Sequence, residues 1–512
     1  MSNESSRNNK RIAKNTLALY FRQIVVLGIT FFTYRIVLQT LGVIDYGIYN
    51  VVGGIVLMFY FLTGTLTGIT QRFINVEMEK GCNETIHNIF SASLVLYFIF
   101  GLLILIIGQT LGAWFIKEKL VIPAERMPAA MLVFQFALLG FILSNISAPF
   151  IALVIAHEDM HIYGYAGIFE VILRLIAVYL LVIINDDKLI TWSVFGFIIS
   201  CAAVLFYAVY CRKKYSIIRF SFFFDVSLFK ELIRYGGFIF FNNILYILRT
   251  QGVNVILNIF FGPAVNAARG LANSIDSALL SFGNNFRSAL NPQLTKSCAR
   301  GDSGYMWTLF DRGTRISYFL ILIFSVPVLL QAEFILRIWL NDVPEYTVIF
   351  TRLIIINALL ESFIAIFNVI VNASGILKAY YFVHYAYMIL IFAFSYLVCK
   401  MGYSPHYVFI VPFPLLLLSI PVRFAVMKKI VDFPVKFFIK KSFLPVFFVS
   451  VLSFLPFYFL NRLFTESNVY SAGIIAASIL WTGMVIVCIG LSRNERIIIF
   501  NFVRHKIIRK KF

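Results

Sequence analysis

Apolar runs of eighteen or more residues recur along the whole of this chain, and they restrict what its backbone can do. Inside a bilayer no water reaches the peptide groups, so a spanning segment must bond its own N–H and C=O groups. Runs of this length read as transmembrane helices. Of the 512 residues only 13% are charged, against about 25% in a soluble domain. Fourteen spans are expected: 12–39, 46–74, 88–116, 129–156, 163–185, 189–211, 229–261, 264–291, 306–331, 347–372, 381–400, 405–427, 443–460 and 471–491.

The formal charge of +20 suggests nucleic acid at first sight. Its placement argues otherwise. Basic residues gather in the N-terminal arm (Arg7, Lys10, Arg11, Lys14), at 212–219, at 428–441 and in the tail from Arg504 to Lys511. These are alternate connectors, as the positive-inside rule requires. The expected placement is the bacterial inner membrane, with both termini and the connectors 75–87 and 212–228 in the cytoplasm. Lys117, Lys119 and Arg126 run against the rule. The stretch Met1–Thr16 is read as a retained basic arm, since the span after it is too long for a signal-peptide core.

One offset relates two parts of the chain. Gly262 follows Gly42 by 220 residues (262 − 42), and the same shift places Phe261 on Leu41, Asn291 on Gln71 and Arg300-Gly301 on Lys80-Gly81. An internal duplication is expected. Each copy holds six spans, an even number, so the copies should be parallel and related by about 180° around the membrane normal. The expected organisation is a six-helix bundle at 1–211, a basic linker at 212–228 and a second bundle at 229–427. A basic linker at 428–442, two appended helices at 443–491 and a basic tail at 492–512 follow.

Several motifs invite chemistry. His157-Glu158-Asp159-Met160-His161 has the zinc-protease form. That chemistry needs both histidines on one helical face and a third ligand. Here the motif sits in a short connector, and the corresponding connector at 373–380 has no histidine. No metal or cofactor is expected. Gly64 and Gly68, and Gly270, Ser274 and Ala278, have the spacing of close helix packing. The six cysteines form no close pair.

Charges inside the spans carry more information, because an arginine at mid-membrane costs about 2.5–3.5 kcal/mol. Glu170 and Arg174 lie four apart and should neutralise each other. Arg22 and Arg287 read as near helix ends. Arg35 and Arg249 have no acidic residue three or four positions away. These four arginines are the candidates for a cationic cavity, where a guanidinium matches phosphate oxygens in pairs. Tyr34, Asn242, Asn243 and Tyr246 are candidates for sugar hydroxyls, and Asp276 and Glu361 for ion coupling.

Leu41-Gly42-Val43-Ile44-Asp45-Tyr46-Gly47-Ile48-Tyr49, Gln71-Arg72, the connector 156–163 and Trp339-Leu340-Asn341-Asp342-Val343-Pro344-Glu345-Tyr346 together resemble the polysaccharide-biosynthesis flippases. These are the Wzx-type O-antigen and capsule translocases of the multidrug/oligosaccharidyl-lipid/polysaccharide exporter superfamily. The resemblance implies two six-helix bundles that open alternately to each side. It implies a non-enzymatic, monomeric flippase for undecaprenyl-pyrophosphate-linked oligosaccharide, with cavity arginines on the pyrophosphate. Membrane lipid and other glycan-assembly membrane proteins are the expected partners; nucleic acid is not. A multidrug exporter of the same superfamily should show an anionic cavity instead. A glycan polymerase or ligase should carry a large extramembrane loop, and no connector here is long enough.

Overall fold

A computed structural model describes residues 2–80, 83–157, 159–215, 244–374, 378–463, 467–493 and 495–497; the side chains of 2–24 and of scattered helical positions lie outside that description. Asn242, Asn243, Glu158 and the side chain of Arg22 therefore fall outside the described residues. The described residues are helical apart from turns, and no strand occurs among them. This is the expected all-α membrane class. Among the described residues twelve helices are long and apolar enough to cross a membrane. The two other long helices, Tyr60–Lys80 and Pro263–Ala299, are richer in polar residues.

The first hairpin differs from the expectation. Leu41–Gly47 is not a loop: one helix runs from Ser2 to Leu57, and within it Gly42 alone leaves helical geometry, at φ 78 and ψ 169. Only glycine adopts that conformation cheaply, so one residue turns the chain and helix resumes at once. The second break comes at Met58–Phe59, where Met58 N–H donates to Gly54 O at 3.2 Å and Phe59 N–H to Val56 O at 3.0 Å.

The chain forms two compact units, residues 1–270 with 392–405, and residues 271–391 with 406–512. The first unit contains α1 (Ser2–Leu57), α2 (Tyr60–Lys80), α3 (Asn83–Ile107), α4 (Ala113–Lys119), α5 (Met127–Ala156), α6 (Met160–Ile183), α7 (Lys188–Lys214), α8 (Val253–Phe261) and the start of α9 (Pro263–Ala299). Helix α5 packs on α7, α2, α3 and α1. Its small residues allow this: a Cβ added at Gly140 would sit 3.3 Å from Ser200 Oγ on α7. Polar groups inside the unit are bonded to each other, as burial requires. Asn145 Nδ2 donates to Tyr97 O at 2.6 Å, Thr63 donates to Asn145 Oδ1 at 3.2 Å, and the Tyr97 and Thr70 hydroxyls meet at 2.6 Å.

At one end of this unit Arg126 bridges two carboxylates, Asp45 at 2.5 Å and Asp187 at 2.6 Å. The positive charge that broke the topology rule is thus matched locally. Asp187 also caps α7, accepting from Leu189 N–H and Ile190 N–H.

The second unit contains the rest of α9, α10 (Ser303–Leu330), α11 (Ala332–Leu340), α12 (Thr347–Ser374), most of α13 (Lys378–Lys400), α14 (Pro412–Val431), α15 (Leu444–Leu463) and α16 (Asn468–Val485). Helix α10 packs on α12, α15 and α16. Phe310, Phe367, Phe433 and Phe438 meet edge-to-face or tilted at 5.0–5.8 Å, geometries that suit the ring quadrupole. A buried charge network ties the last helices to α10. Arg315 bonds Asp311 at 2.7 Å and Glu495 at 3.1 Å, and donates to Gly490 O at 2.5 Å; Ser442 donates to Asp311 at 2.8 Å.

Candidate functional site

The first unit encloses a cavity of about 340 Å³. Its walls come from α1 (Thr30, Thr33, Tyr34, Tyr49, Asn50, Gly53, Gly54), α2 (Tyr60), α6 (Arg174) and α7 (Trp192, Ser193), with Gly270 of α9. The break at Met58–Phe59 places Tyr60 on the wall. Its hydroxyl meets Ser144 Oγ at 3.3 Å. The lining therefore joins one guanidinium to several hydroxyls and an amide, inside a body whose outer helix faces carry exposed Phe98, Leu102, Ile106 and Ile183.

Arg174 corrects the reading of the sequence. Among the described ion pairs none joins it to Glu170. The Arg174 side chain is exposed and lies on the cavity wall with Tyr34, Tyr49 and Tyr60. Spacing of four permits a pair but does not compel one when other polar groups are within reach.

A second cationic centre lies at the turn Leu248–Gly252, a single π turn ahead of α8. π turns widen the helix and often mark functional positions. Arg249 sits on this turn, half-buried. Arg269 of α9, only 7% exposed, donates its Nη2 at 2.6 Å to the carbonyl of Thr250, the residue after Arg249. Its Nε is buried without a hydrogen-bond partner among the described residues. Two guanidinium groups are thus gathered at one turn.

An asparagine ladder fixes α8 and α9 beside α1. Asn254 Nδ2 donates to Asn50 O at 3.4 Å, Asn266 Nδ2 to Asn254 Oδ1 at 2.9 Å, and Asn258 Nδ2 to Asn266 Oδ1 at 3.0 Å. Val121 N–H donates to Asn258 Oδ1 at 2.9 Å. Close approach depends on glycine at two places. A Cβ at Gly270 would lie 2.6 Å from Asn50 Oδ1, and one at Gly47 would collide with Pro263 O. The packing reading thus holds at Gly270. At Gly64 and Gly68 no such packing is seen among the described residues: an added Cβ meets nothing within 4 Å.

Of the sequence candidates, Tyr34 lines the cavity. Arg35 is half-buried beside it in sequence but is not on the wall. Tyr246 is exposed, and its carbonyl accepts from Thr250 Oγ1 at 3.0 Å. Arg287 is buried and donates to Asn284 Oδ1. Because α9 continues to Ala299, Arg287 is not at a helix end as the sequence suggested. Asp276 is half-buried on α9, and Glu361 accepts from the Tyr387 hydroxyl at 3.2 Å. Arg269 escaped the sequence reading. Its signal was a lone charge in the small-residue run Ala267-Ala268-Arg269-Gly270.

The zinc-like motif has other work. His157 closes α5, with its Nδ1 3.0 Å from Leu153 O and its ring 4.3 Å from that of Tyr215. His161 opens the next helix, so the two imidazoles do not share a helical face. Asp159 accepts from Lys214 at 2.7 Å and from the Tyr215 hydroxyl at 2.5 Å. Burial pushes its carboxyl up, but these donors hold it below the ordinary carboxylate range. Among the described residues no group of three such side chains could hold a metal.

No curated protein matches the chain by sequence. Among solved structures, one titled as the lipid II flippase MurJ in an inward closed conformation superposes with a TM-score of 0.67 at 11% identity, covering 92% of this chain and 98% of that one. An inward-facing multidrug resistance MATE family transporter of the MOP superfamily gives 0.61 at 13% identity, over 80% of this chain and 94% of its own. A MOP superfamily transporter from Pyrococcus furiosus gives 0.55 at 13% identity, over 81% and 95%. The fold is that of these transporters. The sequence pattern of the polysaccharide biosynthesis proteins matches residues 12–298, more than half of the chain, and the protein belongs to that family.

Proposed function

We propose that the protein is a flippase that moves undecaprenyl-pyrophosphate-linked oligosaccharide repeat units across the bacterial inner membrane by alternating access, for O-antigen, capsule or exopolysaccharide assembly. The observation that carries this reading is the pairing of guanidinium groups with hydroxyl-rich walls in a membrane protein of this family. Arg174 stands among Tyr34, Tyr49 and Tyr60, and Arg249 stands beside Arg269. Guanidinium groups match pyrophosphate oxygens in pairs, and tyrosine and asparagine suit sugar hydroxyls. Arg35, Arg22 and Arg287 stay as further pyrophosphate candidates.

A multidrug exporter shares the fold, but a cationic lining repels cationic drugs. The deciding experiment is a leaflet-resolved assay of lipid-linked oligosaccharide in cells with and without the gene. Intact repeat units should accumulate on the inner leaflet when it is deleted. Accumulation of translocated, unpolymerised units would point instead to a polymerase. Unchanged distribution would refute the flippase reading.

A further inference from the structure

Arg423 of α14 is 3% exposed, deep within the second unit. Among the described residues it makes no ion pair. Its contacts are neutral. Nε donates to Ser419 Oγ at 3.3 Å, Nη1 to the Tyr380 hydroxyl at 3.0 Å, and Nη2 points at Nδ1 of His384 at 3.1 Å. The guanidinium also lies 5.3 Å from the ring centre of Tyr380 and 5.8 Å from that of Tyr387. The hydroxyl of Tyr387 donates to Glu361 on α12. One chain of contacts therefore runs from His384 through Arg423 and Tyr387 to a carboxylate.

The His384 contact fixes a protonation state. A guanidinium nitrogen can only donate, so Nδ1 of His384 must present its lone pair. Donation from Arg423 therefore requires the neutral imidazole with its hydrogen on Nε2. A proton on Nδ1 would set two N–H groups of like charge against each other across the same short gap. The contact and the proton exclude one another.

We propose that His384 is a proton-binding site and that the ion coupled to transport is a proton. This rests on the transporter reading above. Proton binding at Nδ1 expels Arg423, which swings past Tyr387 toward Glu361; release of the proton restores the contact. Among the described residues, the groups around His384 and its arginine partner are Arg423 and Ser419 from α14, Glu361 from α12 beyond Tyr387, and Tyr380, Tyr381, Tyr385 and Tyr387 from its own helix. His384 is six residues into α13 from Lys378, and Arg423 is five residues before Lys428. Both ends are basic, so the positive-inside rule places the site near the cytoplasmic face. The sequence named Glu361 as a coupling candidate but passed over His384, since nothing in the sequence reveals which side chain a distant arginine will meet.

The test uses the full-length protein and His384→Asn. Asparagine keeps an oxygen acceptor near the Nδ1 position but cannot take up the proton. In detergent, the apparent melting temperature of the wild type should fall by a few degrees more than that of the variant between pH 8 and pH 5.5. In vesicles of phosphatidylethanolamine and phosphatidylglycerol, an imposed pH gradient should speed movement of a fluorescent undecaprenyl-pyrophosphate disaccharide severalfold for the wild type and leave the variant unaffected. Parallel acid profiles, or equal stimulation of the variant, would overturn the proposal. Divergent acid profiles with no lipid movement by the wild type would leave the proton site standing and refute the flippase reading. If His384→Asn does not fold, Arg423→Gln replaces it. With no guanidinium to expel, the acid-induced loss should vanish, and its persistence would overturn the proposal.

Discussion

Gly42 and Gly262 share one backbone conformation, φ 78 and ψ 169 against φ 80 and ψ −178, although 220 residues separate them. Each stops a helix for a single residue before another helix begins. The offset that aligned them in sequence therefore aligns a rare geometry. Space does not demand glycine at either place: a Cβ on Gly42 meets nothing within 4 Å, and one on Gly262 comes no nearer than 3.9 Å to Val121. The requirement is in the dihedrals. Gly42→Ala and Gly262→Ala should each destabilise the protein by about 1–3 kcal/mol. Thermal unfolding in detergent reads this directly, and two alanine variants as stable as the wild type would show that the conformation is not held.

Arg126 offers a test at the other kind of site. It joins Asp45, in the motif that follows Gly42, to Asp187 at the start of α7. The Arg126 hydrogen bond holds the Asp187 carboxyl below its ordinary value, against a smaller opposing effect of burial. A lowered carboxylate contributes stability that is present above its unfolded value, near 3.8, and is lost as pH falls through the lower folded value. Arg126→Gln should cost about 1 kcal/mol at neutral pH, a small figure because water reaches the pair. It should also flatten the acid limb below about pH 4. A variant with the wild-type acid limb would place the carboxyl's stabilisation elsewhere.

The helical class and the run of spans were legible because apolar length is a strong signal. The shared turn at Gly42 and Gly262 was legible because only glycine adopts that geometry cheaply. Less was legible at the site. Glu170 and Arg174 had ideal spacing for a pair, yet Arg174 turns to a cavity built from α1, α2 and α7. Arg287 looked terminal because the polar run after it suggested an end, whereas α9 continues through that run to Ala299. Arg269 drew no reading from the sequence, yet it is buried where α9 meets the turn that carries Thr250. For Arg174 and Arg269 a distant element decides where the charge goes, and local spacing carries no record of it.

Topology can be read by labelling. Val469, in the first turn of the last helix, is 84% exposed, and Ser303, at the start of α10, is also exposed. The charge distribution puts Val469 outside and Ser303 in the cytoplasm. In a cysteine-free background, Val469→Cys should react with a membrane-impermeant maleimide in intact cells, and Ser303→Cys only after permeabilisation. The reverse pattern would invert the orientation.

The arginines at the π turn give the sharpest test of function. Arg249 lies on the π turn whose Thr250 carbonyl accepts from Arg269, so two guanidinium-bearing residues meet at one turn. Arg269 is held by Thr250 O, but its buried Nε has no partner among the described residues. A pyrophosphate would supply acceptors to both groups. Hydrogen bonds to charged groups contribute about 1.5–3 kcal/mol each, so losing one should slow lipid movement roughly 10- to 100-fold. Arg249→Ala should insert normally and lose glycan export by that margin. Arg249→Lys should recover only part of it, because lysine keeps the charge and loses the paired donors. Arg269→Lys should behave likewise, and it should also lose the fork geometry that lets one side chain hold Thr250 O and meet the anion together. Measured against equal amounts of membrane-inserted protein, full export by Arg249→Ala would remove pyrophosphate from this site.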